Sequence, residues 1–551
     1  KLTEGQNDIT QRYAAMGLRF MAADPDVRVL IMQDGKVQPF VAMATSPLLE
    51  YRRTAGIALA SFSLHESNKA LMVQTGCVKA LLSLGMQEDL STKRDASFSL
   101  ANLADTMELQ GDLIRDGILP VLGELAKSDD SRVQRDVARS FSSLSQTEDI
   151  RLEIIKNQSL TSVLMLAKSL DIGCQRYSAL TLCNLCSGDS KVRIAEEGAI
   201  RPLVFLCRFP DTEIQRFAAL ALAGLTLGGH GDNKTRVVEE GCMRPLVDLV
   251  KFPERDVQLA ACIAINCICL GLEQVTKSAV MTESGLEAVI SLAEKDNDPE
   301  LSSTAIYCLG SLSENPDVKG RLVEIGVVST AVRSQALGNV EVKRAVGYLF
   351  ASISEVNEFH GDLDRDNALS SIIELAQLED IECQEYAAFS LAHLASNKDY
   401  QVRLVDLGAV RPLVSMLASD AEPRHYAGLA LLKLADNFEN HLRIAEEGGI
   451  QALLRLGRAR SSDEQVQYKA AITVGQLASN AVQMFPGGGK SGPGQAKPTG
   501  GLVAADAENG QIGSSAKMLN RLRGQVSAQK GKVQTQEYFE KATAEAEAAE
   551  V

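Results

Sequence analysis

Six arginines recur in step along the first half of this 551-residue chain: Arg12, Arg53, Arg94, Arg135, Arg176 and Arg216, separated by 41, 41, 41, 41 and 40 residues. A guanidinium is a planar, permanently charged fork of donors matched to carboxylates. A row of them at constant spacing suits two tasks. It could take the acids of an extended acidic segment, or bridge acids between successive copies of a repeated unit. The spacing alone leaves both open. The series breaks at Leu259 and Ser303, returns at Arg344 and becomes Glu385. Eight residues beyond the ladder positions lie Asn102, Asn184 and His393. An Asn side-chain amide can both donate to and accept from backbone groups. Tyr307, Tyr348 and Phe389 also stand 41 residues apart. Aromatics and Arg are favoured at binding hot spots, so these three with Arg344 and His393 form a candidate anchor patch. The alternative is ordinary core filling.

No pattern for covalent or metal chemistry emerges. Gly487–Gly492 reads GGGKSG, but Met484 stands where a phosphate loop needs its first glycine, and no strand precedes it. Cys183 and Cys186 have the spacing of half a zinc site, with no second pair. The six His are dispersed, and there is no nucleophile elbow or metalloprotease helix. A non-enzymatic protein without a cofactor is the expectation.

Bulk properties narrow the class further. A net charge of −15 argues against general nucleic-acid binding, which needs a basic surface. The 11 cysteines are odd in number and scattered through apolar segments, which fits buried thiols in a reducing compartment better than a disulfide framework. The longest apolar stretch, near Ala260–Leu272, is too short to span a bilayer. No signal peptide is visible. The chain begins with Lys1, inside a repeat, so its natural start is expected upstream and any targeting or lipidation there cannot be read.

The elements that position these residues announce themselves by a second beat. Gly35, Gly76, Gly117, Gly198, Gly241, Gly285, Gly326, Gly408 and Gly448 each precede an apolar, helix-like segment, and Gln158 and Asn367 fill the gaps in register. A period near 41 is the mark of helical repeats that stack into a solenoid, and a solenoid is usually a surface for holding other molecules. The stretch from Lys191 to Gly228 predicts a short helix ending at Gly198, a second with Pro202 in its first turn, a turn at Phe209-Pro210-Asp211, and a long apolar third helix. The glycine suits a left-handed junction between the first two helices. Asn367 is the next-best residue for it. Gln158 is the poor fit, and that junction is expected to be looser. Hydrophobic residues make up 45% of the chain, aromatics only 5%, and Trp is absent, so the core is built of aliphatics. Two intervals stretch, to 43 and 44 residues, which places edge loops at 228–234 and 272–284.

The strings RIAEEGAIRPLVFL, RVVEEGCMRPLVDL, RLVDLGAVRPLVSM and RIAEEGGIQALLRL, followed by IQRFAALALAGLT or CQRYSALTLCNLC, resemble armadillo repeats over roughly residues 8–480. The resemblance implies an all-α fold, a right-handed armadillo superhelix (α-solenoid) of about eleven three-helix repeats whose third helices line an inner groove. The style is that of vacuolar-armadillo and β-catenin-like scaffolds. It is not that of importin-α, whose Trp–Asn array is absent. The expected organisation is a repeat array over 1–480, a Gly/Pro-rich linker over 481–513 and a charged helical tail over 514–551. The tail is basic first (Lys517, Arg521, Arg523, Lys530, Lys532) and acidic last (Glu537, Glu540, Glu545, Glu547, Glu550). The implied function is a cytoplasmic scaffold that binds extended or acidic segments of protein partners along the groove, with Arg53, Arg94, Arg135, Arg176 and Arg216 taking acids, and with neither nucleic acid nor a membrane span. The alternative is a structural part of a large cytoskeletal or ciliary axonemal assembly.

Overall fold

The computed structural model describes residues 8–21, 24–186, 190–228, 231–270, 283–295, 297–418, 423–458 and 464–484. The expected tail, the phosphate-loop lookalike, most of the 272–284 loop and the expected linker beyond Met484 lie outside them; the first four residues of that linker, 481–484, are instead the end of helix Glu464–Met484. Among the described residues every regular element is a helix. They fall into two compact units, divided between Leu249 and Val250.

Each repeat follows the order read from the sequence. In the repeat that starts at Lys191, helix Lys191–Glu196 ends at Gly198, helix Ile200–Leu206 follows, and the third helix is Thr212–Thr226. Residues at the junction between first and second helices adopt positive φ at Gly35, Gly76, Gly117, Gly198, Gly241, Gly326, Gly408 and Gly448, and also at Gln158 and Asn367. The Gln158 junction is not looser. Gln158 donates to Ile155 and Ser159 to Ile154, the pair of backbone bonds seen at Gly198 and Gly408. Gly285 is a correction: it lies inside helix Glu283–Ala293 and is not among the positive-φ residues. Gly228 takes positive φ at the end of Thr212–Thr226, and helix Gly231–Glu239 begins three residues later, so part of the expected 228–234 loop is helix.

The third helices carry the core. Within the first unit Leu49–Ser63, Leu90–Ala104, Ser131–Leu144, Ile172–Leu185 and Thr212–Thr226 pack one against the next. Within the second, Arg255–Cys269, Pro299–Ser313, Val340–Ser354, Ile381–Ser396 and Arg424–Leu434 do the same. Thr212–Thr226 is buried from Phe217 to its end, which explains its unbroken apolar run. Each repeat buries its faces on its neighbours, so its stability is shared with them.

Candidate partner-binding surface

Five of the ladder arginines stand near the start of third helices and reach one repeat forward. Arg53 bonds Asp89, Arg94 bonds Asp130, Arg135 bonds Asp171, Arg176 bonds Asp211, and Arg344 bonds Asp380, with closest distances of 2.5–2.8 Å. Every one of these aspartates is the N-cap of the next third helix. One or both carboxylate oxygens accept the orphan backbone N–H of Thr92, Val133, Cys174, Ile214 or Cys383 while the carboxylate also accepts from the arginine. One carboxylate therefore closes a helix end and ties two repeats together. Asp89, Asp130 and Asp380 are held below the usual carboxylate range first by the arginine bond, and Asp380 falls to about 2. Burial pushes Asp171 up, but Arg135 and the Cys174 N–H outweigh it and leave it lowered too.

The breaks in the ladder have a structural counterpart. After Thr212–Thr226 the residue before the next third helix is Glu254, whose side chain makes no cap bond. Arg255, one turn before Leu259, then takes over the role: its Nε lies 2.5 Å from Asp298, the cap of Pro299–Ser313. Arg216 lies over the ring of Phe217, 5.8 Å from its centroid. The side chain of Arg12 is outside the described residues.

Arg53, Arg94 and Arg135 are not consumed by these bonds. Arg53, Arg94 and Arg135 meet the aspartate side-on through Nε and Nη2. A guanidinium has five N–H donors, so the Nη1 edge lies beyond the aspartate. Arg53 is 49% exposed where Asp89 is 15%. For these three pairs the outward edge is cationic; Arg344 differs, since its Nη1 donates to Glu341 and its Nε lies 3.4 Å from Glu382.

The other expected contact residues are placed differently. Tyr307, Tyr348 and Phe389 are 1%, 3% and 2% exposed, so an exposed aromatic anchor patch is not what the structure shows. Tyr348 stacks between Tyr307 and Tyr386, at 6.1 and 5.8 Å, and its hydroxyl donates to Glu314. A side chain at Gly310 would run into the Tyr348 ring, which is why glycine stands there. Phe389 packs instead on Tyr426 and on His393, whose ring centroid is 4.5 Å away. Burial holds His393 neutral, with a pKa near 4. Asn102 and Asn184 are buried and join third helices: each donates to the serine at the end of the preceding one, Ser63 and Ser145, at 3.0 Å, and Arg139 donates to Asn102.

One recurring device was not anticipated. A polar side chain early in a first helix turns back to the last carbonyls of the preceding third helix: Asn68 to Phe62, Gln110 to Ala104, Arg151 to Ser145, His360 to Ser354, Gln401 to Ala395 and His441 to Ala435. The residue type changes from repeat to repeat while the role persists, so no single letter marks it in the sequence. All 11 cysteines are buried thiols outside any disulfide, Cys183 and Cys186 among them. Burial raises the thiol pKa of Cys77 to about 11 and of Cys174, Cys207 and Cys262 to about 12. Among the described residues no helix is long and apolar enough to cross a membrane, and no cluster is suited to a metal ion.

Fold and site together define an α-solenoid of three-helix repeats stapled by arginine–aspartate pairs. No family model and no curated protein matches the chain. Among solved structures, one from work on a phosphorylation switch controlling the interaction between cadherin and beta-catenin is similar over 88% of this chain and 98% of that one, with a TM-score of 0.69 at 14% identity. An engineered protein is similar over 80% of this chain and 98% of that one, with a TM-score of 0.55 at 25% identity. The likeness is one of fold, and it supports an armadillo-type α-solenoid.

Proposed function

We propose that this chain is a non-enzymatic protein-interaction scaffold that holds extended, acid-bearing segments of partners along the starts of its third helices. The observation that supports this reading is the row of side-on arginine–aspartate pairs, whose outward edge is cationic and repeats once per unit. Packed helices lie about 8–10 Å apart, and an extended chain advances about 3.3 Å per residue. One acid at roughly every third residue of a partner would meet successive arginines at Arg53, Arg94, Arg135, Arg176 and Arg216, while Arg344, already held by Glu341 and Asp380, is left to its own repeats. Asn102, Asn184, Tyr307, Tyr348, Phe389 and His393 support the surface from behind by fixing the spacing of the helices.

Selection of displayed random peptides on the intact chain tests this. Enriched peptides should carry Asp or Glu two to four residues apart, lose affinity about tenfold in an Arg53→Ala/Arg94→Ala variant, and weaken steeply with salt. Peptides without acids, or binding indifferent to both arginines, would sink the proposal. The exposed Met165, Leu170, Ile172 and Phe205 support a second reading, a structural part of a larger cytoskeletal or axonemal assembly that buries these edge and outer residues. Recovery of the native protein in a detergent-resistant pellet would favour it.

A further inference from the structure

The second unit has one edge where exposed apolar side chains and acids coincide. Leu337, Val340 and Ile381 are 69%, 49% and 51% exposed. Val340 and Ile381 open consecutive third helices, Val340–Ser354 and Ile381–Ser396, so they sit at the same register of neighbouring repeats. Around them stand Glu341, Glu379, Asp380 and Glu382 against Lys343 and Arg344. Arg344 already bonds Asp380 and Glu341 and lies 3.4 Å from Glu382. The edge therefore carries more negative than positive charge and a greasy surface that water wets at a cost.

The chain holds a segment of complementary chemistry. Residues 517–522 contain Lys517 and Arg521 without an acid, and Met518, Leu519 and Leu522 at intervals of one and three residues. We infer that this segment docks on the Leu337–Val340–Ile381 edge of its own chain, placing Met518, Leu519 and Leu522 against the three apolar side chains and its cations against the surrounding carboxylates.

The connection is long enough. The last described helix ends at Met484. A random chain as long as 485–516 has a root-mean-square span of about 30 Å. From Ile381–Ser396 to Glu464–Met484 is two repeats, about 20 Å at normal helix spacing, and the length of Glu464–Met484 adds about 30 Å along the other direction. The resulting distance, about 35 Å, matches the linker. In cis, such a linker supplies the segment at an effective concentration near the millimolar range, so weak contacts suffice.

Photo-crosslinking in the intact chain tests the inference. A benzoyl-phenylalanine replaces Leu519, and heavy- and light-isotope chains are mixed before irradiation so that links within and between chains are told apart. The expected result is intrachain links to residues 337–341 and 377–382. Their yield should fall about tenfold in a Val340→Asp/Ile381→Asp variant and at high salt. Both substituted residues are exposed, and an unchanged helical melt shows that the array still folds. A Lys517→Glu/Arg521→Glu chain, altered outside the array, should lose the links equally. Links to any other part of the array, links joining heavy to light chains, or yields indifferent to these changes would overturn it.

Discussion

Single residues decide the repeat junctions, and they do so through the backbone more than through contacts. Gly117 has φ 91°, and a Cβ built there would meet nothing within 4 Å. Replacing it with Ala should therefore cost only the left-handed penalty, about 1–2 kcal/mol, measurable by urea unfolding. Gln158, at φ 58°, is the reverse case: Gln158→Gly should stabilise by several tenths of a kcal/mol to about 1 kcal/mol. Asp95 is a second residue out of balance. Burial lifts its pKa to about 6, Asp89 adds to the shift, and Arg19 opposes it. A carboxyl whose folded pKa is raised costs stability above that pKa, and the cost fades as pH falls from about 6 towards 4. Asp95→Asn should raise the melting temperature at pH 7 and change it little at pH 4. The beat of left-handed positions was legible in the sequence because few residues tolerate that conformation. The error at Gly285 came from reading spacing without the helix that encloses it.

At the level of helices, the arginine–aspartate staple does two jobs, so its parts can be separated. Asp171→Asn keeps an N-cap oxygen but loses the ion pair with Arg135, and should cost about 0.5–1 kcal/mol. Asp171→Ala removes the cap as well and should cost about 1 kcal/mol more. Equal losses in the two variants would show that the ion pair, and not the cap, carries the effect. The same staples set the acid response. Asp89, Asp130, Asp171, Asp298 and Asp380 all have lowered folded-state pKa values, with Asp380 near 2. Their stabilisation is complete above the unfolded carboxylate value, about 3.9, and is lost as pH falls from there towards 2. Thermal melts between pH 5 and 2.5 should therefore drop, and the drop should flatten in an Arg344→Ala/Arg135→Ala variant. The arginines were visible in the sequence as a row, but their partners were not. Asp89, Asp130 and Asp171 recur at the same 41-residue step, with Asp211 40 residues further on, yet the reach from one repeat's arginine to the next repeat's cap depends on how third helices stack. The aromatic trio misled for the same reason: the 41-residue register pairs Tyr348 with Phe389, while the packing pairs it with Tyr386.

Over the whole chain, nearest-neighbour packing predicts that damage stays local. Asp380→Ala should speed amide exchange in Val340–Ser354 and Ile381–Ser396, the two third helices that the Arg344 staple ties, and leave Leu90–Ala104 in the first unit unchanged. Exchange that rises equally in both units would contradict this one-dimensional view. The all-helical fold and its repeat order follow from period and composition alone, because a 41-residue step with one special backbone position per step admits few architectures. The binding surface did not follow so directly, since a repeated polar residue looks the same whether it faces a partner or a neighbouring repeat.

The buried cysteines have a use apart from packing. They are spread from Cys77 to Cys383, with Cys262, Cys267, Cys269 and Cys308 close enough to influence one another electrostatically. A thiol sealed in the core reacts only when its surroundings open. The chain thus carries its own set of clocks: mass-resolved alkylation of each cysteine would time the opening of the repeat that holds it, without a label being introduced anywhere.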